Sequence, residues 1–514
     1  MDRPEYGEKT DPLIKTGTND VVLVDKQKGC LSCRQVLAFL GFLGFVNVYC
    51  LRVNLSVAMV AMANTANSNV NQSDECPSNV TSKQQEGDFD WDEKTQGIIL
   101  GSFFYGYIVT QIPGGWLGSR FSAKKLFGFG VLCTSLLTLV TPIAAKTSFA
   151  LLIAVRVVEG IGEGVTFPAM HALWGKWAPP YERSRLAAFT YAGAQFGTVV
   201  ALPISGLLCD SKWGWPSVFY VFGISGCLWF IIWMILVYET PSSHPRISQE
   251  EREYIEKSLG EEINSKSLYV PWLSIASSIR VWAIVLSHVA NNWGFYTLLT
   301  CLPTYMKQIL KFDLSQNGFI SAIPYLLLWL IQTIGGRFAD FLRERQILST
   351  TTTRKLMNSL GLLLPATFLI STGYVGCNKI LAVVFLTLAV GSGGFCMSGF
   401  NVNHLDIAPR YSGVLMGITN MFATIPGFVG PAIVGQLTNN QQTRGQWRIV
   451  FFICAAVYLQ GFVTFLICGT GEEQPWNNSD SSGRGKYKPL KTVESDSDVE
   501  HPEHIQYGSH SDSD

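Results

Sequence analysis

Arg156, Glu159 and Glu163 stand in one apolar stretch at spacings of three and seven residues, which puts all three charges on one face if the stretch is helical. An ionisable side chain inside a membrane span costs at least about 2.5–3.5 kcal/mol, so this face must turn inward, where its charges pair or titrate. Arg156 is one turn from Glu159 and is its natural salt-bridge partner. Glu163 lies about 10 Å from Arg156 along the axis and has no evident partner nearby in sequence, unless Arg52, itself well inside another apolar stretch, reaches it. A desolvated carboxylate without a partner favours its neutral form and takes up a proton, the property that a proton-coupling site needs. The competing reading is a closed ion-pair network that only locks the helix to its neighbours. Stability alone seldom favours buried charges, which weighs for titration. Arg52 carries a permanently charged fork that can grip both oxygens of a carboxylate, and is the candidate anion anchor.

Other polar residues fall in apolar surroundings. His288, Asn291, Asn292, Trp293 and Tyr296 share one stretch. His288 titrates near neutral pH and is read either as a further proton-coupling group or as a hydrogen-bonding packing residue. Asn292 and Tyr296, with Tyr105, Tyr107 and Ser398, offer the amide, phenol and hydroxyl groups that suit a polyhydroxylated ligand; the aromatic ones could equally fill space between glycine-rich helices. His404 and Asp406, beside Asn401 and Asn403, and His171 at the corresponding place earlier in the chain, are read as gate hydrogen bonds. A His-x-Asp pair with one more remote His is poor evidence for a metal site, and none is expected. No nucleophile–base constellation or cofactor motif is present, so the chain is not expected to be an enzyme, and protons are the only coupling ion required.

These groups need a scaffold that holds them inside a bilayer. The chain has 514 residues, 48% of them hydrophobic and 15% charged, with the apolar residues in long blocks such as 36–62 and 381–400. A helix needs roughly 20 apolar residues to cross the hydrocarbon core. By that measure there are about twelve spans, near 36–62, 96–117, 124–145, 149–173, 185–208, 216–238, 281–306, 316–341, 355–375, 379–401, 411–436 and 447–469. The expected organisation is an N-terminal tail (1–35), a six-helix half (36–238), a linker (239–280), a second six-helix half (281–470) and an acidic, disordered C-terminal tail (471–514). The fold class is all-α, and the lipid bilayer is its solvent. Zero net charge gives no reason to expect nucleic acid. The twelve cysteines show no pairing or zinc pattern and read mostly as small apolar packing residues.

Short loops rich in Lys and Arg stay in the cytosol. Arg120, Lys124 and Lys125, then Lys176, Arg183 and Arg185, then Arg343, Arg345, Arg354 and Lys355 all fall on one side, with both tails and the linker. The 63–95 loop falls on the other side and carries two glycosylation sequons, at Asn71 and Asn79. Weak internal repetition supports two parallel halves: Gly114–Arg120 answers Gly335–Arg343, and Ala178–Arg183 answers Ala408–Arg410. Two six-helix halves related by an axis along the membrane normal are the major facilitator arrangement, with the substrate near mid-membrane between them.

Three ordered strings carry a family likeness. They are Gly-Ser-Phe-Phe-Tyr-Gly-Tyr-Ile-Val-Thr-Gln-Ile-Pro-Gly-Gly over 101–115, Gly-Ile-Gly-Glu-Gly-Val-Thr-Phe-Pro-Ala-Met-His over 160–171, and Asn-His-Leu-Asp-Ile-Ala-Pro over 403–409. From about residue 34 to 475 the chain resembles the organic anion and phosphate transporter family. The resemblance implies proton symport through the Arg156, Glu159 and Glu163 set. It also implies a small organic anion as substrate, and the likeness is strongest to the members that export sialic acid and related acidic sugars from lysosomes. Members that carry acidic amino acids or phosphate are the alternative. In the glutamate carriers of the family a His precedes the Gly-Ser-Phe-Phe string and an Arg stands in span seven; here those places hold Leu100 and Asn291. Both departures remove positive charge, which disfavours a dicarboxylate and leaves Arg52 for a monocarboxylate. The lysosomal members carry an acidic dileucine signal. Here Leu13 and Ile14 keep the apolar pair, but Lys9 stands where the acid is usual. Tyr487 and Leu490 form a second candidate, of the tyrosine-based type, for sorting adaptors. The lysosomal membrane is the expected location, with the plasma membrane and the synaptic vesicle as alternatives.

Overall fold

The computed structural model describes residues 32–64, 87–263, 270–439 and 441–477. Leu13, Ile14, Asn71, Asn79, Tyr487 and Leu490 lie outside the described residues, so the sorting and glycosylation expectations rest on sequence alone. Helices run through all twelve expected spans. The first half comprises α1 (Cys33–Met62), α2 (Glu93–Arg120), α3 (Ala123–Thr147), α4 (Phe149–Gly164) with α5 (Thr166–Trp177), α6 (Pro180–Asp210) and α7 (Pro216–Leu236). The linker holds α8 (Gln249–Ile263) and a short α9 (Trp272–Ser277). The second half comprises α10 (Ile279–Gln308), α11 (Leu314–Glu344), α12 (Thr350–Tyr374), α13 (Lys379–Ser392) with α14 (Phe400–Ile407), α15 (Ser412–Thr424) with α16 (Pro426–Thr438), and α17 (Arg444–Cys468).

Among the described residues nine helical stretches are long and apolar enough to cross a membrane by length and composition. The other three expected spans, the second, fourth and seventh, are helical but more polar or interrupted. They are also the spans that carry many of the candidate residues, because a helix that turns polar groups to the protein interior cannot be apolar all round. Span four breaks at Val165, where Pro168 lacks the N–H that would continue the ladder to Gly164. Span ten is interrupted too, around Gly393 and Gly394, which lie in a 3-10 stretch between α13 and α14.

The side that bears the basic loops is fastened by carboxylates at helix starts, where free N–H groups and the helix dipole favour negative charge. Glu251 of α8 accepts the backbone N–H groups of Cys33 (3.0 Å) and Arg34 (3.2 Å), and pairs with the Arg34 guanidinium at 2.9 Å. Arg34 also reaches Glu182 at 2.7 Å. Glu239, just past α7, accepts the N–H groups of Ala123 and Lys124 at 3.0 Å each and pairs with Lys176 at 2.5 Å. It thereby ties spans three, four and six together. In the second half, Arg354 pairs with Asp406 at 2.6 Å and donates to the Ser398 carbonyl at 3.0 Å. Asn403 donates to the Thr470 carbonyl at 2.8 Å, adding the end of span twelve.

The two halves meet most closely on the opposite side, the side of the 63–95 loop. There α6 crosses α11 through paired glycines. A Cβ on Gly206 would stand 2.8 Å from the Leu314 carbonyl oxygen and 3.1 Å from the Gly318 Cα. Likewise α2 crosses α16, and a side chain on Gly97 or Gly435 would strike the carbonyl of Pro431 or Glu93. Small residues that let backbones touch are how helices pack in lipid, and here they close the loop side. One sequence expectation needs correction at the C-terminal end. Residues 471–477 belong to the folded part: the Gln474 N–H donates to the Ile407 carbonyl at 2.8 Å, and the Asn477 side chain accepts from the Arg410 N–H at 3.3 Å. Nine of the described cysteines are free, in keeping with a packing role for most of them, whereas Cys377, in the turn between α12 and α13 on the loop side, is disulfide-bonded.

Candidate anion and proton site between the halves

The centre of the first half is built from α1, α2, α3 and α4. Arg156 pairs with Glu159 at 2.5 Å, one turn apart on α4, with both side chains almost wholly buried. Glu159 also accepts the hydroxyls of Thr138 and Thr141, at 3.2 Å each, from α3. Its oxygens are therefore engaged by three donors from two helices. Glu163, the next carboxylate on this face, is reached from α1: Arg52 Nε lies 2.7 Å from Glu163 Oε1, and Nη2 contacts the same oxygen. Glu163 Oε2 and Arg52 Nη1 are buried and have no hydrogen-bond partner among the described residues. The two carboxylates are thus unlike. One sits in a saturated shell; the other has a single cationic partner and an unsatisfied oxygen.

Aromatic rings hold the Arg52 guanidinium in place. Its central carbon lies 4.6 Å from the Tyr49 ring centre, 4.7 Å from that of Tyr107 and 5.2 Å from that of Phe103. Cation–π contact of this kind keeps a guanidinium charged and fixed while leaving edges for a carboxylate. The adjoining cavity is lined by Arg52, Ser56, Leu100, Phe103, Arg156 and Thr300, among others. Its space is about 10 Å³, room for about one water molecule, so an organic anion enters only when the halves part.

The sequence candidates divide. Arg52, Arg156, Glu159, Glu163 and Tyr107 come together at this centre. Tyr296 of α10 faces it from the second half, edge-on to Phe104 at 4.7 Å. Tyr105 does not belong to it: it is exposed and packs on Phe428 at 5.0 Å, because two residues along a helix turn the side chain by about 200°. Asn292 donates to the Ala423 carbonyl at 3.0 Å, tying α10 to α15. The Ser398 carbonyl serves Arg354, which places this residue with the ion pair at the basic side. Asp406 is held by Arg354 within its own half and does not bridge the halves. His288 is not brought to the carboxylates of span four. Its Nδ1 lies 3.2 Å from the Thr419 hydroxyl, which also lies 2.9 Å from His404 Nε2, so these two histidines share one threonine inside the second half. His171 is exposed and lies against Tyr191, ring centres 4.9 Å apart. Ser56 and Thr300 in the cavity wall, and Thr138 and Thr141 around Glu159, escaped sequence reading because a hydroxyl in an apolar span usually bonds its own helix backbone. Among the described residues no group of His, Cys, Asp and Glu could hold a metal ion.

Comparison with known proteins gives this geometry a family. Residues 37–431 match the model of the Major Facilitator Superfamily. The sheep protein sialin is 51% identical over 486 residues, covering 93% of this chain and 97% of its own length. Human sialin is also 51% identical, covering 88% and 92%. Human vesicular glutamate transporter 2 is 44% identical, covering 88% and 77%. Among solved structures, a bacterial homologue of the human lysosomal transporter Spinster, inward-facing and occupied, superposes with a TM-score of 0.63 at 16% identity, covering 85% of this chain and 98% of that one. A D-xylose–proton symporter gives 0.61 at 16% identity over the same shares. At such identity these two show the fold alone. Relatives and fold are those of multi-pass membrane transporters rather than enzymes. With more than half of its length matched to the superfamily and with sialin and a vesicular glutamate transporter as relatives along most of its length, the chain belongs to the major facilitator superfamily, in its family of organic-anion transporters.

Proposed function

We propose that this protein is a proton-coupled symporter that exports sialic acid and related acidic sugars from the lysosome lumen to the cytosol by alternating access. The observation that carries the reading is the buried pair of Arg52 and Glu163. While Glu163 is ionised it occupies the guanidinium that an incoming carboxylate needs. A proton on Glu163 removes its charge and releases Arg52, whose fork then takes the substrate carboxylate. Proton and anion load together, and the site stays close to neutral whether empty or full, which permits the halves to rock around it. Loss of the proton on the alkaline side lets Glu163 reclaim Arg52 and displaces the anion. Arg156 and Glu159, the latter also held by the Thr138 and Thr141 hydroxyls, keep the helix in place through the cycle.

Two further observations support the finer points. Leu100 forms part of the cavity wall beside Arg52; by family resemblance this is a place where glutamate carriers have a His, so a second carboxylate finds no cationic partner there. The disulfide at Cys377 lies on the loop side, and disulfides persist in oxidising compartments. This supports the loop side, with Asn71 and Asn79, as lumenal and both tails as cytosolic. The test is uptake of labelled sialic acid, glutamate and phosphate into proteoliposomes with and without an imposed proton gradient. Gradient-driven accumulation of sialic acid in preference to the other two is expected; preference for glutamate would replace this reading with that of an acidic amino acid carrier.

A further inference from the structure

Phe103, Tyr107 and Gln111 follow one another at intervals of four on α2 and so share a face. The first two pack on the Arg52 guanidinium. Gln111 is one turn beyond Tyr107, about 6 Å further along the helix towards the basic side. It is buried, and its Oε1 accepts a hydrogen bond of 3.0 Å from Asn420 Nδ2 on α15. This bond crosses from one half to the other. Gln111 Nε2 is buried too and has no hydrogen-bond partner among the described residues. A buried amide N–H without an acceptor is uncommon and calls for one.

We propose that Gln111 and Asn420 form the distal anchor of the substrate site, reading the hydroxyl or acylamino groups of an acid whose carboxylate is held by Arg52. The inference rests on the transport reading above and specifies how the site selects among anions. A short amino acid fixed at Arg52 ends before it reaches Gln111. A sugar acid extends its ring substituents about one helical turn beyond its carboxylate, where the free Gln111 N–H donates to an oxygen and the Asn420 carboxamide offers both a donor and an acceptor. The two amides belong to different halves, so a ligand that engages both also senses the distance between them. Sites built to hydrogen-bond a ligand hydroxyl discriminate strongly against analogues that lack it.

The experiment measures binding to the full-length protein in nanodiscs for sialic acid and for cyclohexanecarboxylate, a ring acid without hydroxyl or amide groups. Wild type, Gln111→Met and Asn420→Leu are compared. Each variant is expected to lower the preference for sialic acid over cyclohexanecarboxylate by about tenfold, the scale of one neutral hydrogen bond. An unchanged preference in both variants overturns the anchor, as does an equal loss of affinity for both acids, which is the behaviour of a purely structural latch. If either variant fails to fold, the other decides. Gradient-driven sialic acid uptake by the wild type separately tests the transport reading, so a failed anchor and a failed reading are told apart.

Discussion

Arg52 and Glu163, 111 residues apart, meet inside the bilayer with Nε to Oε1 at 2.7 Å and both side chains at most 3% exposed. Glu159, one turn before Glu163 on α4, is engaged by Arg156 and by two threonine hydroxyls. The contrast assigns different work to two carboxylates of one helix. A carboxylate fixed by three donors is costly to neutralise, because its donors would lose their acceptor. A carboxylate with one partner that a substrate can replace is the one that takes up a proton.

Glu163→Gln mimics the protonated acid. Arg52 is then permanently available, so the variant should exchange sialic acid across the proteoliposome membrane but lose the acceleration that a proton gradient gives to the wild type. Glu159→Gln leaves Arg156 short of its counter-charge and should lower the melting temperature of the protein in detergent, since breaking one partner of a buried pair costs about 3–5 kcal/mol. Gradient-driven accumulation at the wild-type level by Glu163→Gln would remove this carboxylate from coupling.

The closed loop side gives a prediction of conformation. Gly318 of α11 faces the Leu202 carbonyl of α6, 2.5 Å from where a Cβ would stand. Backbone cannot move aside as a flexible side chain can, so Gly318→Val should disfavour closure and raise the population open on that side. Cys301, buried beside cavity-lining Thr300, is a native reporter. Its labelling by a membrane-impermeant thiol reagent from the loop side, followed by mass spectrometry, should rise severalfold in Gly318→Val. Labelling no faster than in wild type would show that the glycine crossing does not control closure.

Most of the scaffold was legible from sequence because a bilayer demands long apolar runs and basic loops on one side, and both survive as local patterns. The charged face of span four was legible for the same reason: Arg156, Glu159 and Glu163 are close in sequence, and helical geometry fixes their face. What stays hidden in the sequence is largely contact between residues distant along the chain. Asp406 reads from sequence as a gate residue, but its partner Arg354, 52 residues earlier, is not evident there. His288 reads from sequence as either a proton-coupling group or a packing residue, and its neighbours, Thr419 and His404 from spans eleven and ten, favour packing. Tyr105 and Tyr107 looked alike, yet only Tyr107 shares the helical face of Phe103 and meets Arg52. That same four-residue spacing would have singled out Gln111.

Glu239 supplies a pH dependence outside the bilayer. Partial burial would raise its pKa, but hydrogen bonds from Lys176, from the Ser122 hydroxyl and from the N–H groups of Lys124 and Ala123 outweigh it and hold the carboxyl below its ordinary value. The folded state therefore binds a proton less readily than the unfolded state, and Glu239 contributes stability that is complete at neutral pH. That contribution declines as pH falls through the ordinary carboxylate range and is gone below the depressed native value. Glu239→Gln should melt at a lower temperature than wild type at pH 7, and the difference should shrink steadily on acidification. A difference that stays constant across that range would show that Glu239 acts through packing rather than charge.

Substitution of Arg52 separates charge from shape. Lysine keeps a positive charge near Glu163, so the exchange of partners that underlies coupling should survive: protonation of Glu163 still frees a cation for the anion. Lysine loses the planar fork, its paired donors and the flat face that packs on Tyr49 and Tyr107. Arg52→Lys should therefore raise the KM for sialic acid by about tenfold, equivalent to roughly 1.4 kcal/mol, while uptake by the variant still accelerates when a proton gradient is imposed. Arg52→Leu should lose both properties, because it leaves Glu163 without a counter-charge and the substrate without an anchor. The measurement is initial-rate uptake over a range of sialic acid concentrations, with and without the gradient. A wild-type KM in Arg52→Lys would locate the anion site elsewhere. Loss of gradient acceleration with KM unchanged would make Arg52 part of the proton machinery alone.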